Sequence, residues 1–272
     1  MQKIPGIQLA HTLISDLSLL PVPKKFLAIF VVGDRKETDT FIHQKKKVAQ
    51  TLGVDFRVYR YDTSITQDKL RSEIHRIGDH SSCGGIVLQL PLPSHINAAY
   101  CVNAIPVKKD VDVLSGASLG LLTTNRQHIL PPAVCAVDTI LRFVAKRRED
   151  VSHAVIVGYG SLVGRPVSLW FCEKVSTCTV LEKGGDMSVL LSADVIVSGT
   201  GDAGFLHGSL VKKDAILIDF GYGIDSKGVC RGDIDVASLE KEGFLGWYTP
   251  TPGGTGPLVV AALFSNFYRC NE

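Results

Sequence analysis

The chain has 272 residues, of which 45% are hydrophobic and 21% are charged, and its formal net charge at pH 7 is +2. This length is sufficient for two domains with their own cores, and the small net charge gives no indication of nucleic-acid binding. No apolar run approaches the roughly 18 residues of a membrane span. The seven cysteines are scattered, odd in number and never spaced as CxxC, which argues against a metal site and favours a reducing cytoplasm.

Strands and helices alternate through the first half of the chain. The apolar residues 26–32 predict a buried strand, and the next helix is expected to be capped by Thr38 or Asp39 and to end at Gly53. The other elements predicted in this half are a helix over 9–20, a strand over 55–61, a helix over 66–78 and a strand from 84 to 90. This order is typical of a parallel sheet with helices on its faces.

The helix after the first strand contains a run of three lysines, 45–47. Such a run is commonly a solvated face. Phe41 and Lys45, however, are i, i+4 neighbours on the face that carries the apolar positions. A lysine there either extends to solvent or lies in a cleft, where desolvation lowers its pKa and makes it a usable general acid or base. We predict the second role for Lys45.

The segment GGIVLQLPLP, residues 84–93, ends an apolar strand with a polar residue and two prolines. Proline cannot donate a ladder hydrogen bond, so the strand is predicted to stop at Leu90. Gln89 then lies at the carboxyl end of a strand, where ligands bind in open α/β sheets. Gln89 is therefore a candidate site residue.

Residues 154–166 combine an apolar strand, a glycine-rich turn and the start of a helix. Gly158, Gly160 and Gly164 follow the spacing GxGxxxG, one residue longer than the common dinucleotide fingerprint. Such glycines allow a tight turn and a close approach of the backbone to a pyrophosphate. Later strands are predicted over 177–181, 194–198 and 215–220, and a helix over 137–148 precedes the turn. The second half thus predicts a Rossmann-type domain.

Glu182 bears on the choice of cofactor. It directly follows the second strand of this domain, where an acidic residue usually binds the adenosine ribose hydroxyls. Its carboxylate would repel the 2′-phosphate of NADP, whereas Lys183 and Arg165 could still bind that phosphate. Arg165 has an alternative interpretation as a structural helix residue. The sequence favours NAD and leaves NADP open.

Several of these segments together resemble one known family, the bifunctional methylenetetrahydrofolate dehydrogenase/methenyltetrahydrofolate cyclohydrolases. The resemblance rests on residues 32–53, 84–97, 106–113, 154–166, 219–223, 232–235 and 249–257, and the last of these, TPTPGGTGP, is the most specific match. It implies an α/β protein of two domains around a cleft. The folate-binding catalytic domain would be 1–130 with 250–272, and the Rossmann-type cofactor domain 131–249. A homodimer without metal, acting on folate with NAD or NADP and binding neither nucleic acid nor membrane, is also implied.

The resemblance also assigns roles to individual residues. Lys45 falls on the family's catalytic lysine, Gln89 would orient it, and Asp112 falls on the aspartate that holds the pterin ring. Substrate contacts are expected from Phe41, Leu90, Pro252, Gly253 and Gly254. Cofactor contacts are expected from Gly158, Tyr159, Gly160, Ser161, Gly164, Arg165, Glu182 and Tyr222.

This chain departs from the family pattern in ways that keep alternatives open. Phe41 stands where the family usually has tyrosine, so it can stack on the substrate but offers no hydroxyl. Tyr159 and Gly160 replace arginine and serine, and Val113 replaces glycine. The implied activity is oxidation of 5,10-methylenetetrahydrofolate to the methenyl form and hydrolysis of that product to 10-formyltetrahydrofolate. The alternatives are a dehydrogenase with weak or no cyclohydrolase activity, and a non-catalytic dinucleotide-binding regulator.

Overall fold

A computed structural model describes residues 1–144, 151–224 and 230–272. The chain forms two compact units. The first, called here the six-stranded unit, contains Met1–Ala10 and Ala133–Val259, and the second, the three-stranded unit, contains His11–Pro132 and Val260–Glu272.

The strands and α-helices are numbered in chain order. The strands are β1 (Gln2–Lys3), β2 (Phe26–Val32), β3 (Phe56–Tyr61), β4 (Cys83–Leu88), β5 (His153–Val157), β6 (Thr177–Leu181), β7 (Val195–Ser198), β8 (Ile216–Asp219), β9 (Gly223–Ile224), β10 (Cys230–Arg231) and β11 (Trp247–Tyr248). The helices are α1 (Gly6–Ser18), α2 (Lys36–Leu52), α3 (Gln67–Gly78), α4 (Ala98–Val102), α5 (Gly116–Thr123), α6 (Pro132–Val144), α7 (Gly164–Phe171), α8 (Val236–Lys241) and α9 (Thr255–Arg269). Among the described residues, no helix is long and apolar enough to cross a membrane.

The three-stranded unit is built on a parallel sheet in the order β3-β2-β4. Successive side chains of β2 point to opposite faces, and both faces are covered. Leu27, Ile29 and Val31 belong to one apolar cluster, which also includes Phe264 of α9, whereas Phe30 belongs to the other. Burial on both faces explains why the sequence of this strand is apolar without interruption.

Helix α2 starts earlier than the sequence predicted. It begins at Lys36, after an extended Arg35 whose side chain makes no capping hydrogen bond, so the predicted caps Thr38 and Asp39 are wrong. The Asp39 carboxylate instead accepts a hydrogen bond from Arg60, and Thr38 is buried. The predicted stop at Gly53 is confirmed, since this residue adopts the left-handed conformation with φ of 69°.

The six-stranded unit contains a parallel sheet in the order β1-β11-β8-β7-β5-β6. The strand predicted over 177–181 has those bounds, and the strands predicted over 194–198 and 215–220 are slightly shorter in the structure. The sequence missed β1 and β11, which have two residues each. The helix predicted over 137–148 begins earlier, at Pro132, and its last positions, 145–148, lie outside the described residues.

The pairing of β1 with β11 explains where the N-terminal residues belong. Gln2 is in register with Trp247, and Lys3 with Tyr248. Residues 1–10 consequently group with the six-stranded unit, whereas the sequence placed them with the catalytic domain. A strand of two residues carries too little periodicity for sequence analysis to detect.

Asp194 ties the start of β5 to the segment before β8, and its removal is expected to destabilise the six-stranded unit. Its carboxylate accepts hydrogen bonds from the amides of Ser152 and His153 at 2.9 and 3.0 Å and from Lys212 Nζ at 2.9 Å. Burial raises the pKa of Asp194, but the bonds from Lys212, His153 and Ser152 outweigh burial and hold it well below its ordinary value. The stabilisation is therefore present above the unfolded pKa of 3.8 and is lost as the pH falls below it.

We expect Asp194→Ala to lower the free energy of unfolding at pH 7 by roughly 1–3 kcal/mol, because two amides lose their acceptor. Tryptophan fluorescence during urea unfolding measures this directly, since both tryptophans, Trp170 and Trp247, lie in the six-stranded unit. The exposed Glu240→Gln serves as the control, and an equal effect of both substitutions would contradict the assignment.

Candidate active site

The structure brings two predicted residues of the three-stranded unit into direct contact. Lys45 Nζ donates a hydrogen bond to Gln89 Oε1 at 3.0 Å, and Gln89 Nε2 donates to the carbonyl oxygen of Leu90 at 3.0 Å. Lys45 lies on α2 and is only 8% exposed, whereas Gln89 follows the last residue of β4. The second bond fixes the amide of Gln89, so its oxygen is held toward the ammonium group.

The electrostatic environment of Lys45 favours proton transfer. Burial lowers the pKa of Lys45, and the negative charge of Asp112 partly opposes this shift. Burial raises the pKa of Asp112 to about 6, against the opposing effect of Lys45 and with a further contribution from Asp110. An amine whose pKa moves toward neutrality is suited to act as a general acid or base.

The turn between α4 and α5 holds Asp112. The Asp110 carboxylate accepts hydrogen bonds from the amides of Leu114 and Ser115 at 3.2 and 2.8 Å. Asn266 Nδ2, on α9, donates to the carbonyl oxygen of Val111 at 2.9 Å. These contacts fix the backbone on both sides of Asp112.

Two further predicted substrate residues, Phe41 and Leu90, are close in sequence to Lys45 and Gln89. Phe41 is partly buried on α2, one helical turn before Lys45. Leu90 is partly buried as well, and it packs against the apolar cluster that contains Phe30. The face of α2 that the sequence singled out therefore does include buried positions.

The glycine-rich turn between β5 and α7 has the geometry of a tight strand-to-helix connection. Gly158 has φ of 88°, and a Cβ atom on Gly164 would lie 1.8 Å from the carbonyl oxygen of Gly158. Only glycine fits at these two positions. A Cβ at Gly160 would meet open space, and Ser161 next to it is exposed.

The charged residues predicted for cofactor binding lie close to this turn. Glu182, directly after β6, accepts a hydrogen bond from the amide of Tyr159 at 2.7 Å. The guanidinium of Arg165 lies 5.4 Å from the centre of the Tyr159 ring. Tyr222, three residues after the end of β8, is 39% exposed. Glu182 is thus positioned by the turn itself.

Asp219 organises the predicted loop that contains Pro252, Gly253 and Gly254, a role the sequence did not reveal. Its amide donates to Thr249 Oγ1, and its carbonyl oxygen accepts from Thr255 Oγ1, both at 2.7 Å. These two threonines flank the loop on either side, so one residue fixes both loop ends.

The Asp219 side chain is part of a buried acidic pair. Its carboxylate accepts from the amides of Gly221 at 2.6 Å and Ile234 at 3.1 Å. Asp233, which is also buried, accepts from Ser198 Oγ at 2.5 Å. Burial and the charge of Asp233 raise the pKa of Asp219 to about 6. The available sequence signal was an acidic residue directly at the end of the apolar strand β8.

Close backbone packing holds the second half of that loop. A Cβ atom on Gly6 would lie 2.0 Å from the carbonyl oxygen of Gly254, and Gly253 has φ of 98°. No role for Gly6 was predicted from the sequence. Pro252 is exposed beside these glycines.

The fold and these two sites together define a two-unit α/β enzyme with a dinucleotide-binding turn and a separate, buried lysine–glutamine pair. The family described as tetrahydrofolate dehydrogenase/cyclohydrolase, catalytic domain, matches residues 11–112, and its NAD(P)-binding domain matches residues 132–272. The chain belongs to the tetrahydrofolate dehydrogenase/cyclohydrolase family. The predicted family, enzyme class and two-domain α/β fold are confirmed.

Individual relatives agree with this assignment. The bifunctional protein FolD of Staphylococcus aureus is 31% identical over 242 residues, which cover 88% of this chain and 84% of the relative. The crystal structure of the bifunctional FolD enzyme of Campylobacter jejuni, at 28% identity, has a TM-score of 0.92 and covers 100% of this chain and 98% of its own. The Trypanosoma brucei FolD structure, at 26% identity, has a TM-score of 0.88, covers 98% and 96%, and is a complex with NADP and an inhibitor.

The raised pKa of Asp219 predicts a specific pH dependence of stability. Its pKa is 3.8 when unfolded and about 6 when folded, so the native state binds the proton more tightly and its stability falls as the pH rises from about 4 through 6. Between pH 5 and 7.5, we expect the free energy of unfolding of Asp219→Asn to decrease by roughly 1 kcal/mol less than that of the unmodified chain. Urea unfolding at several pH values tests this, with the exposed Asp214→Asn as control. Parallel curves for the Asp219 variant and the unmodified chain would show that Asp219 is not the group that titrates.

Proposed function

We propose that the chain oxidises 5,10-methylenetetrahydrofolate with NAD(P) and hydrolyses the methenyl product to 10-formyltetrahydrofolate, with Lys45 as the general acid/base. Family membership supports the two reactions. The observation that carries the residue-level mechanism is the contact between the buried Lys45 ammonium and Gln89, with Asp112 acting on the same group through its charge.

The dehydrogenase step requires orientation more than proton transfer. When bound, the nicotinamide supplies the hydride acceptor, and the enzyme must hold it against the methylene carbon with water excluded. Asp112 is suited to anchor the pterin, because its carboxylate can accept hydrogen bonds from pterin N–H groups and is ionised above pH 6. Phe41 offers an aromatic face for the aminobenzoyl ring.

The cyclohydrolase step requires proton transfer. Water attacks the methenyl carbon, and its proton must leave as the C–O bond forms. The lowered pKa of Lys45 makes the neutral amine accessible as the acceptor, and the same group can return the proton to the departing ring nitrogen. Gln89 keeps the Lys45 Nζ atom in one position while it gains and loses this proton.

We expect Lys45→Met to lower cyclohydrolase turnover about 100-fold or more, which is the usual contribution of a general acid/base. Dehydrogenase turnover should fall much less, because hydride transfer itself moves no proton to Lys45. The two half-reactions are followed separately, through nicotinamide reduction and through the methenyl absorbance. Lys46→Met, an exposed neighbour on α2, is the matched control. Full cyclohydrolase turnover in the Lys45 variant would exclude the proposed role.

For the cofactor, we propose a preference for NAD over NADP. The support is the Glu182 carboxylate, which the Tyr159 amide holds beside the glycine-rich turn. A fixed negative charge there favours the ribose hydroxyls of NAD and disfavours a 2′-phosphate. NADP in the T. brucei relative makes a direct comparison of the two cofactors on this chain necessary.

Glu182→Gln tests this preference, because glutamine keeps an acceptor for the Tyr159 amide while the charge is removed. We expect the ratio of kcat/KM for NAD to that for NADP to exceed one in the unmodified chain and to fall about tenfold in the variant. Glu240→Gln should leave the ratio unchanged. A preference of the unmodified chain for NADP would overturn the Glu182 argument without affecting the family assignment.

One alternative has a specific observation in its favour, namely a dehydrogenase with weak cyclohydrolase activity. Phe41 provides no hydroxyl beside Lys45, so a hydroxyl-dependent proton relay cannot form there. Accumulation of methenyl product in the unmodified enzyme would favour this alternative. Restoration of hydrolysis by Phe41→Tyr would then locate the cause.

A homodimer and a cytoplasmic location are also proposed. The homodimer rests on the family resemblance, and the location rests on cysteines that remain free thiols. Light scattering of the purified chain measures the oligomeric state.

A further inference from the structure

Asp112 depends on its backbone for the orientation of its side chain. Among the residues that the structure describes, no hydrogen bond or ion pair reaches its carboxylate, and Lys45 acts on it through charge. The nearby Asp110 differs, because both of its carboxylate oxygens accept hydrogen bonds from backbone amides. The direction in which the Asp112 carboxylate points is therefore set by the main chain on either side of it and by the packing around it.

The main chain beside Asp112 has a strained conformation. Val113, the next residue, has φ of 57°, a left-handed conformation that β-branched residues rarely adopt. Strain of this kind persists only where the surrounding contacts enforce it. On the carboxyl side of Asp112, the two hydrogen bonds that the Asp110 carboxylate accepts are such contacts. On the amino side, the group to be held is the peptide that joins Val111 to Asp112.

Asn266 of α9 holds that peptide group. Asn266 is 1% exposed, and its Nδ2 atom donates to the carbonyl oxygen of Val111 at 2.9 Å and to the carbonyl oxygen of Leu130 at 2.8 Å. Both N–H groups of the side-chain amide are thereby used. Phe264 and Phe267, which are close to Asn266 on α9, are buried in the same apolar cluster as Val111. Asn266 thus connects a helix fixed in the core to the residue before Asp112.

We propose that Asn266 is a positioning residue for binding of the folate substrate, because it fixes the peptide before Asp112 and thereby the direction of the Asp112 carboxylate. Without the Asn266 amide, the carbonyl group of the fully buried Val111 loses its donor. Rotation of this peptide toward another donor would also allow the strained Val113 to relax. The carboxylate would then leave the position from which it binds the pterin N–H groups. This inference rests on the anchor role proposed above for Asp112.

Asn266→Leu tests the inference, because leucine is branched at the same carbon as asparagine but has no N–H group. We expect the KM for methylenetetrahydrofolate to rise about tenfold, since a displaced carboxylate loses hydrogen bonds to the substrate. The KM for the dinucleotide and the kcat of the dehydrogenase step should change by less than about twofold, because Asn266 lies apart from the glycine-rich turn. Thermal unfolding verifies that each variant is folded. Asn266→Asp, which keeps the shape and donates at most one hydrogen bond, replaces a leucine variant that does not fold.

Asn271→Leu is the matched control. The Nδ2 atom of Asn271 donates to the carbonyl oxygens of Gly84 and Phe267 at 3.1 and 2.7 Å, so the same substitution there also leaves two carbonyl groups without this donor. Gly84 lies near the start of β4, at the opposite end of the strand from Gln89. We expect a comparable loss of thermal stability and an unchanged KM for methylenetetrahydrofolate. An equal rise of this KM in both variants, or an unchanged KM in a folded Asn266→Leu, would show that Asn266 contributes to stability alone.

A double-mutant cycle with Asp112→Ala separates this inference from the anchor role of Asp112. In the Asp112→Ala chain, Asn266→Leu should raise the KM for methylenetetrahydrofolate by no more than about twofold, because the group that Asn266 positions is already absent. Effects of the two substitutions that multiply in the double variant would overturn the inference and leave the anchor role intact. An unchanged KM in Asp112→Ala alone would instead overturn the anchor role, and this inference with it.

Discussion

Burial of β2 on both faces is the constraint on which the three-stranded unit depends. Alternate residues of this strand enter two separate apolar clusters, so helices must cover both sides of the sheet. Ile42 and Ala49 of α2 and Phe264 of α9 belong to the same cluster, which brings the two helices together on one face. Lys45 lies on this packed α2 and is only 8% exposed. Burial of a lysine lowers its pKa, and it also lowers the stability of the folded protein.

The six-stranded unit also buries a charged group, the carboxylate of Asp219. Asp219 is buried at the end of β8, where its main chain and side chain together bind Thr249, Thr255, Gly221 and Ile234. Burial raises its pKa, and the same residue holds both ends of the loop that contains Pro252, Gly253 and Gly254. Rigid loops matter at such a site because small displacements of binding groups reduce catalysis strongly.

The sequence predicted the bounds or ends of several regular elements correctly, among them β2 at 26–32. Strand β6 was found with its observed bounds, and the end of α2 at Gly53 was correct, because each rests on local chemistry. The contact between Lys45 and Gln89, 44 positions apart, also agrees with the expectation that one residue orients the other. Periodicity placed Lys45 on the apolar face of a helix and Gln89 at a strand end, and the family resemblance supplied the expectation that the two meet.

Other features that depend on distant partners could not be predicted from local patterns. Strand β1 exists only through its register with β11, more than 240 residues later, and two residues carry no pattern of their own. The cap expected from Thr38 or Asp39 failed because Arg60, from the neighbouring strand, takes the Asp39 carboxylate. The loop-ordering role of Asp219 likewise depends on threonines about 30 residues further along the chain. For Asp39, the local sequence predicted a helix cap, whereas a tertiary contact with Arg60 occupies its carboxylate.

The opposite shifts of Lys45 and Asp112 limit the pH range in which the proposed mechanism operates. Asp112 accepts hydrogen bonds from a pterin through both carboxylate oxygens only when it is ionised, which requires a pH above its pKa of about 6. Ionised Asp112 in turn raises the pKa of Lys45, against the lowering caused by burial. The two groups therefore titrate as a coupled pair, and the charge that anchors the substrate also limits how easily the base loses its proton. Gln89 carries no charge, so it can hold Lys45 in place without adding to that limit, which is a physical reason for an amide rather than a carboxylate at the end of β4.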